Sequence, residues 1–337
     1  MKLSLQQICD ITQGAEVIRE ENGSVRFYRF NEQELSLYRN RPAYFPMAIS
    51  TPEIQLEFQT DAHTLKMQVT ATEGKLYRRY FAYDSLVNGE LTGPLTNFPN
   101  TMENGHYDEV ATDPGPYHGS FSLGTGIKTV RIVFPWSVSL GLQNLTLEGC
   151  TFLEPVKKDK KLLIYGDSIT QGACSLYPSK TYTSLLGQWL EAEVVSKAVG
   201  SEFYYPELAE INPEICPDYI TVAYGINDWY HLSREEFTDR CRRFWAAICR
   251  NCPGAKKFAL TPIYYLADCG ERPFGPLADV AQLIREITAE FPDIIVIDCM
   301  DFVSRDTADF GDLYVHPNHI GFQKYFENLK QAMLPYL

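Results

Sequence analysis

Two rhythms of hydrophobic residues divide this chain. Up to about residue 155, apolar and polar positions alternate in short runs: Ile54-Gln-Leu-Glu-Phe58, Leu65-Lys-Met-Gln-Val69, Val130-Arg-Ile-Val-Phe134 and Leu145-Thr-Leu147. A period of two puts one side of a strand on a core and the other in water, so these runs predict short strands of an all-β sandwich or jelly roll. Only Gln59-Thr-Asp-Ala-His-Thr64 separates the first two, which predicts a hairpin or meander. From residue 161 the rhythm changes. Leu162–Tyr165, Val194–Val199, Tyr219–Tyr224, Phe258–Ile263 and Ile294–Cys299 are continuous apolar runs of strand length, as expected of strands buried on both faces. Between them, apolar residues recur every three or four positions, predicting helices over Thr181–Glu191, Ser233–Arg250, Leu277–Phe291 and Ile320–Leu334. Ser233 and Glu236 form a capping box at the start of the clearest helix. Strands alternating with helices predict an α/β fold, a flavodoxin-like doubly wound five-stranded parallel sheet.

The boundary between the two rhythms is Pro155-Val-Lys-Lys-Asp-Lys-Lys161, a proline followed by a charge run, which sets domains at 1–155 and 156–337. A length of 337 residues suits two domains. The polar stretch Asn97 to Gly119, with Asn-Gly, Pro-Gly-Pro and Tyr117-His118, predicts a long loop. A formal charge of -13 with no Lys/Arg stripe disfavours nucleic acid or an anionic membrane as partner. The N-terminus turns polar before an apolar signal region forms, and no run reaches membrane-spanning length. Nine cysteines without paired spacing fit a reducing compartment, and the expectation is a cytoplasmic protein. Cys249-Arg-Asn-Cys252 lacks the second pair a zinc site wants and is expected to pack at a helix end.

The candidate chemistry lies at the C-terminal ends of the parallel strands, the edge on which open α/β sheets bind ligands. Gly166-Asp-Ser-Ile-Thr170 follows the first strand, Gly200 the second and Gly225-Ile-Asn-Asp228 the third; Asp312-Leu-Tyr-Val-His316-Pro-Asn precedes the last helix. Each has a bland alternative: turn chemistry for Gly-Asp-Ser, a turn glycine, an Asx turn, a helix-entry histidine. Taken together they supply the parts acyl transfer requires. A serine hydroxyl needs a base to take its proton, imidazole suits that task near neutral pH, and fixed donors stabilise the charge that develops on a carbonyl oxygen.

In order and spacing these four blocks resemble those of the SGNH (GDSL-type) hydrolases, over roughly residues 160 to 337. The resemblance implies Ser168 as nucleophile, His316 as its base, and an oxyanion hole built from the Ser168 and Gly200 amides and the Asn227 side chain. Two-domain members of that family carry an N-terminal jelly roll. One departure concerns the acid: the family usually has Asp-x-x-His, whereas Leu313 stands three before His316 and Asp312 four before. Either a one-residue bulge brings Asp312 to the histidine or a backbone carbonyl replaces it in a Ser–His dyad. The α/β-hydrolase elbow Gly-x-Ser-x-Gly does not fit, because position 170 is threonine. Asp167 and Asp228 are expected to brace these loops, and Trp229-Tyr-His231 and Tyr264-Tyr265 either to wall the site or to pack.

The function this implies is a serine esterase acting on a short-chain O-acyl ester of a carbohydrate or small molecule, with no metal and no organic cofactor. An acyltransferase using the same site with a hydroxyl acceptor is the alternative, and a non-enzymatic carbohydrate-binding protein a third. Oligomeric state is not legible.

Overall fold

The change of rhythm near residue 160 is a change of sheet. In a computed structural model, described over residues 1–73, 80–98, 114–267, 272 and 274–337, the strands before it form two antiparallel sheets. One runs Thr12–Gln13, Gln55–Thr60, Lys128–Val133, Ala82–Val87 and Glu90–Thr96, with Leu153–Pro155 also paired to Gln55–Thr60. The other runs Val17–Glu21, Ser24–Tyr28, Val138–Glu148, Thr64–Glu73 and Tyr117–Ser122. Residues of both, among them Phe27, Leu56, Phe58, Leu65, Met67, Ile132 and Leu140, share one apolar core, which makes the pair a sandwich.

Three expectations change. Gln55–Thr60 and Thr64–Glu73 do not form a hairpin, because the short link between them crosses from one sheet to the other. Alternation reports which face of a strand is buried but not which strand lies beside it. The expected loop from Asn97 to Gly119 ends in a strand, Tyr117–Ser122, paired with Thr64–Glu73, and residues 99–113 lie outside the described residues. The first half also holds helices at Leu5–Ile11, Glu32–Arg39 and Phe45–Ala48. The first two begin with capping boxes, Ser4 with Gln7 and Asn31 with Glu34, a signal present in the sequence and not used.

The second half is a parallel sheet in the order Ala192–Ser196, Lys160–Gly166, Tyr219–Ala223, Lys256–Leu260, Ile294–Ile297, as expected of a flavodoxin-like doubly wound fold. Helices Tyr182–Trp189, Arg234–Asn251, Leu277–Thr288 and His319–Met333 fall where the periodicity placed them, within a few residues at each end. The Ser233/Glu236 box caps the longest. Cys252 ends that same helix and is buried, and no disulfide joins two described cysteines.

The segment from Phe30 to Ala48 belongs to the first half by chain order and to the second by packing. Phe30, Leu35, Tyr38, Met47 and Ala48 sit in the apolar core of the parallel-sheet unit. Arg29, fully buried, donates to the carbonyls of Met47 and Ser50 and, at 2.9 and 2.6 Å, to those of Ser196 and Ala198. Lys197, also fully buried, answers from the other side, donating to the Arg29 carbonyl at 2.8 Å and pairing with Glu16 and Glu34 at 2.9 and 2.5 Å. A buried charge left without partners would be costly, so these bonds lock the segment onto the chain that leaves the second parallel strand.

Candidate active site

Ser168 opens a helix of one turn, Ser168–Gln171, directly after the strand Lys160–Gly166. The Asp167 carboxylate caps that turn by accepting from the Ile169 amide at 3.0 Å. Glycine is required at 166 by crowding: a Cβ there would lie 2.2 Å from Thr170 Oγ1, which is itself bonded to the Tyr182 hydroxyl at 2.9 Å. Strand, glycine and cap together place the serine hydroxyl at the sheet edge.

His316 reaches the same place from the far end of the chain. Its Nε2 lies 2.7 Å from Ser168 Oγ. Its Nδ1 lies 2.5 Å from Asp312 Oδ2, so the carboxylate reaches the ring across four residues. Leu313 supplies the bend with a left-handed φ of +71°, and Asp312 Oδ1 accepts from the amides of Tyr314, Val315 and His316 at 3.2, 3.0 and 3.0 Å. Burial alone would raise the Asp312 carboxyl, but the His316 ring and the Val315 and His316 amides outweigh it and hold the carboxyl well below the usual range. An ionised Asp312 fixes Nδ1 as the protonated nitrogen and leaves the Nε2 lone pair for the serine proton. Asn318 then caps the helix His319–Met333, which anchors the loop. His319 is the first residue of that helix, as expected of a helix-entry residue.

The resemblance implies an oxyanion hole from the Ser168 and Gly200 amides and the Asn227 side chain, and these groups differ in how they are engaged. The Gly200 amide donates to Gln171 Oε1 at 2.6 Å, which engages it away from a substrate oxygen. Gln171 is buried and gives its Nε2 to Ser50 Oγ and the Trp136 carbonyl, both at 3.0 Å, so it ties the first half of the chain to this loop. The next residue, Ser201, has a left-handed φ of +62°, and its amide and that of Ser168 have no hydrogen-bond partner among the described residues. Asn227 lies in the helix Ile226–His231, entered through Gly225 at a φ of +126° that favours glycine. Its Nδ2 donates to the Glu202 carbonyl at 3.1 Å and, more weakly, to Asp167 Oδ2 at 3.4 Å. Neither Gln171 nor Ser201 carries a signal in the sequence, since a buried amide side chain and a strained serine look ordinary in a string.

Asp167, which accepts from Asn227, and Asp228, its neighbour in the chain, are both buried. Burial pushes both carboxyls up to about 7, opposed for Asp167 by the Ile169 amide and for Asp228 by the Tyr204 amide, which donates to it at 3.1 Å. Of the expected wall residues, Trp229 is buried and donates to the Gly275 carbonyl at 2.8 Å, so it packs rather than faces solvent. Tyr230 and Tyr314 are exposed, and Tyr265 stands 5.9 Å from Tyr314 ring to ring. Among the described residues, Cys174, Asp312 and His316 bring ligand atoms within 4.8 Å of one another and could hold a metal ion. Cys174 was not singled out from the sequence. A cavity of about 460 Å³ lined by Glu57, Arg131, Lys158 and Lys160 opens at the start of the strand whose other end carries Ser168, away from this chemistry.

The profile of the GDSL-like lipase/acylhydrolase family matches residues 164–324, which contain Ser168, Gly200, Ser201, Asn227, Asp312 and His316. No curated protein matches the chain by sequence. Among solved structures, the chain resembles salicylyl-acyltransferase SsfX3 from a tetracycline biosynthetic pathway, with a TM-score of 0.79 at 19% identity over 96% of this chain and 94% of that one. It resembles a family two carbohydrate esterase from Cellvibrio japonicus, TM-score 0.66 at 15% identity over 99% and 98%. It also resembles the acetyl xylan esterase Est2A from the rumen bacterium Butyrivibrio proteoclasticus, TM-score 0.65 at 12% identity over 99% and 98%. At such identities the likeness speaks for the fold, including the arrangement of an antiparallel first half before the α/β unit. Residues 164–324 thus carry a GDSL-like lipase/acylhydrolase domain, and the chain is an enzyme of the esterase class.

Proposed function

We propose that the chain is a serine esterase that removes a short acyl group from an O-acylated carbohydrate or small molecule through an acyl-enzyme. The observation that carries this is the line from Ser168 Oγ through His316, 2.7 Å at Nε2, to Asp312, 2.5 Å at Nδ1. His316 takes the serine proton as Oγ attacks the carbonyl carbon, and Asp312 steadies the imidazolium that forms. The negative oxygen of the tetrahedral intermediate is met by the amides of Ser168 and Ser201 and by the Asn227 carboxamide, which gives up its longer bond to Asp167 Oδ2 and keeps the one to the Glu202 carbonyl, with Ser201 in the role the resemblance gives to Gly200. His316 then protonates the leaving alkoxide, water attacks the acyl-serine by the same route, and the carboxylic acid departs.

The small-ester reading draws on the esterase neighbours, one of them an acetyl xylan esterase. The second reading is acyl transfer, favoured by the 0.79 TM-score to a salicylyl-acyltransferase over nearly the whole of both chains. Both share every step up to the acyl-enzyme and differ in whether water or a hydroxyl acceptor attacks it. No described helix is long and apolar enough to cross a membrane, and nine cysteines without paired spacing favour a reducing, cytoplasmic setting. The test is hydrolysis of p-nitrophenyl acetate against longer-chain esters, with and without added alcohols, for the wild type and Ser168→Ala. The expected result is short-chain preference, free acid as the main product, and a loss of roughly 10³-fold or more on removing the hydroxyl. Ester product exceeding free acid would replace hydrolysis by transfer, and an unimpaired Ser168→Ala enzyme would remove the serine mechanism.

A further inference from the structure

The oxyanion side of the site is braced by a residue from the first half of the chain. Arg41 follows the helix Glu32–Arg39, far from the α/β unit in sequence. Its guanidinium grips both carboxylate oxygens of Glu202, Nη1 to Oε2 at 2.6 Å and Nη2 to Oε1 at 2.8 Å. Glu202 has a fully buried side chain, whereas that of Arg41 keeps 23% of its surface in solvent. The rings of Tyr44 and Tyr205 lie 4.0 and 4.3 Å from the guanidinium carbon and limit where it can go. Such a paired fork fixes direction as well as distance.

Glu202 is a hub of the loop that meets the substrate carbonyl. Its carbonyl accepts from Asn227 Nδ2 at 3.1 Å, its amide donates to the Val199 carbonyl at 3.1 Å, and Oε1 takes the Phe203 amide at 3.1 Å. Ser201, with its left-handed backbone, is the residue immediately before it. Burial pushes the Glu202 carboxyl up, and Arg41 pulls it part of the way back.

We infer that Arg41 is a positioning residue for catalysis: by holding Glu202 it aims the Asn227 carboxamide and the Ser201 amide at the developing oxyanion. It touches no reacting atom. This rests on the oxyanion set proposed above and extends it, since the first half of the chain then contributes to the chemical step as well as to shape. Donors that stabilise a transition state act through their placement, and a shift on the order of 1 Å can cost about 10²-fold in rate.

The experiment compares wild type, Arg41→Gln, Arg41→Lys and Arg41→Ala on p-nitrophenyl acetate, with Tm measured on each preparation. Arg41→Gln is expected to lower kcat by about 10- to 100-fold with KM changed less than about threefold, because the loss falls on the transition state. Arg41→Lys, which keeps the charge but not the fork, is expected to fall between the two. Ethylguanidinium added to Arg41→Ala enters the space left at the partly exposed site and is expected to restore part of kcat, which a general loss of stability would not allow. A folded Arg41→Gln with wild-type kcat, or a loss confined to KM, would overturn the inference. Should Arg41→Gln fail to fold, Arg41→Lys carries the test, and wild-type kcat in that variant overturns it. A wild-type enzyme inert toward every ester would instead overturn the esterase reading, and this inference with it.

Discussion

At the scale of single residues, the spacing between Asp312 and His316 is the most instructive feature. Asp-x-x-His is the usual pattern in the family it resembles, and the extra residue here left two geometries open in the sequence. The structure resolves the placement through Leu313: one left-handed residue absorbs the insertion, and the carboxylate still meets Nδ1 at 2.5 Å. The consequence is measurable. Asp312→Asn keeps the shape of the loop but offers an amide where the ring needs an acceptor, and kcat is expected to fall roughly 10³- to 10⁴-fold with little change in KM. A loss within tenfold would mean that a backbone carbonyl orients the ring and the site is a Ser–His dyad. Gly200 teaches the converse. The amide of a glycine in the right place along the chain is occupied by Gln171, which is why the donor role is proposed for the next amide. No reading of residue types finds that, since it depends on where a buried carboxamide points.

At the scale of elements, the proposed catalytic groups are held by short, crowded turns. Ser168 rides a single helical turn capped by Asp167, Asn227 begins a helix entered through Gly225, and His316 precedes the capped helix His319–Met333. Each of these elements was visible as a strand end or a helix start. The conformation of the loop between them was not. The Asp312–His316 loop carries strain that can be probed directly, because Leu313 is half exposed and held at a φ of +71°. A left-handed β-carbon costs about 1 kcal/mol, so Leu313→Gly is expected to be neutral or to stabilise by up to about 1 kcal/mol, while Leu313→Val, branched at Cβ, destabilises by about 1–2 kcal/mol. Urea unfolding of the two variants checks this. A destabilised glycine variant beside an unaffected valine variant would show that the exposed leucine packs more than its backbone strains.

At the scale of the whole molecule, the two halves share the machinery. Arg29 and Arg41 leave the sandwich half to bind carbonyls and a carboxylate beside the second parallel strand, and Gln171 reaches back to Ser50 and Trp136. Buried acids at this junction also set how stability varies with pH. Asp167 and Asp228, each raised to about 7 against an unfolded value near 3.9, bind protons more readily in the folded chain. Their penalty is absent below about pH 4, grows through the interval up to about 7, and is complete above it. Asp312 acts with the opposite sign: its lowered pKa contributes stability above the unfolded value, lost as pH falls through the folded one. The denaturant midpoint is therefore expected to be higher near pH 5 than near pH 8, and Asp228→Asn to flatten that difference. A midpoint that rises from pH 5 to pH 8 in the wild type, or an unchanged slope in the variant, would show that these carboxyls are solvated or paired in the folded chain.

The sequence by itself determined the class of each half and the edge on which the chemistry sits, because hydrophobic period follows directly from strand and helix geometry and ligands collect at the ends of parallel strands. It also determined that Ser168, Asn227, His316 and Asp312 belong to neighbouring turns, since each stands beside an element whose place in the sheet is legible. Only the tertiary structure decided that Arg29, Arg41 and Gln171 join the two halves, that Leu56 and Leu65 lie in different sheets over one core, and that Ser201 rather than Gly200 has the unengaged amide. These are contacts between residues distant along the chain, fixed by packing and by the need to satisfy buried polar groups, and no local pattern records them.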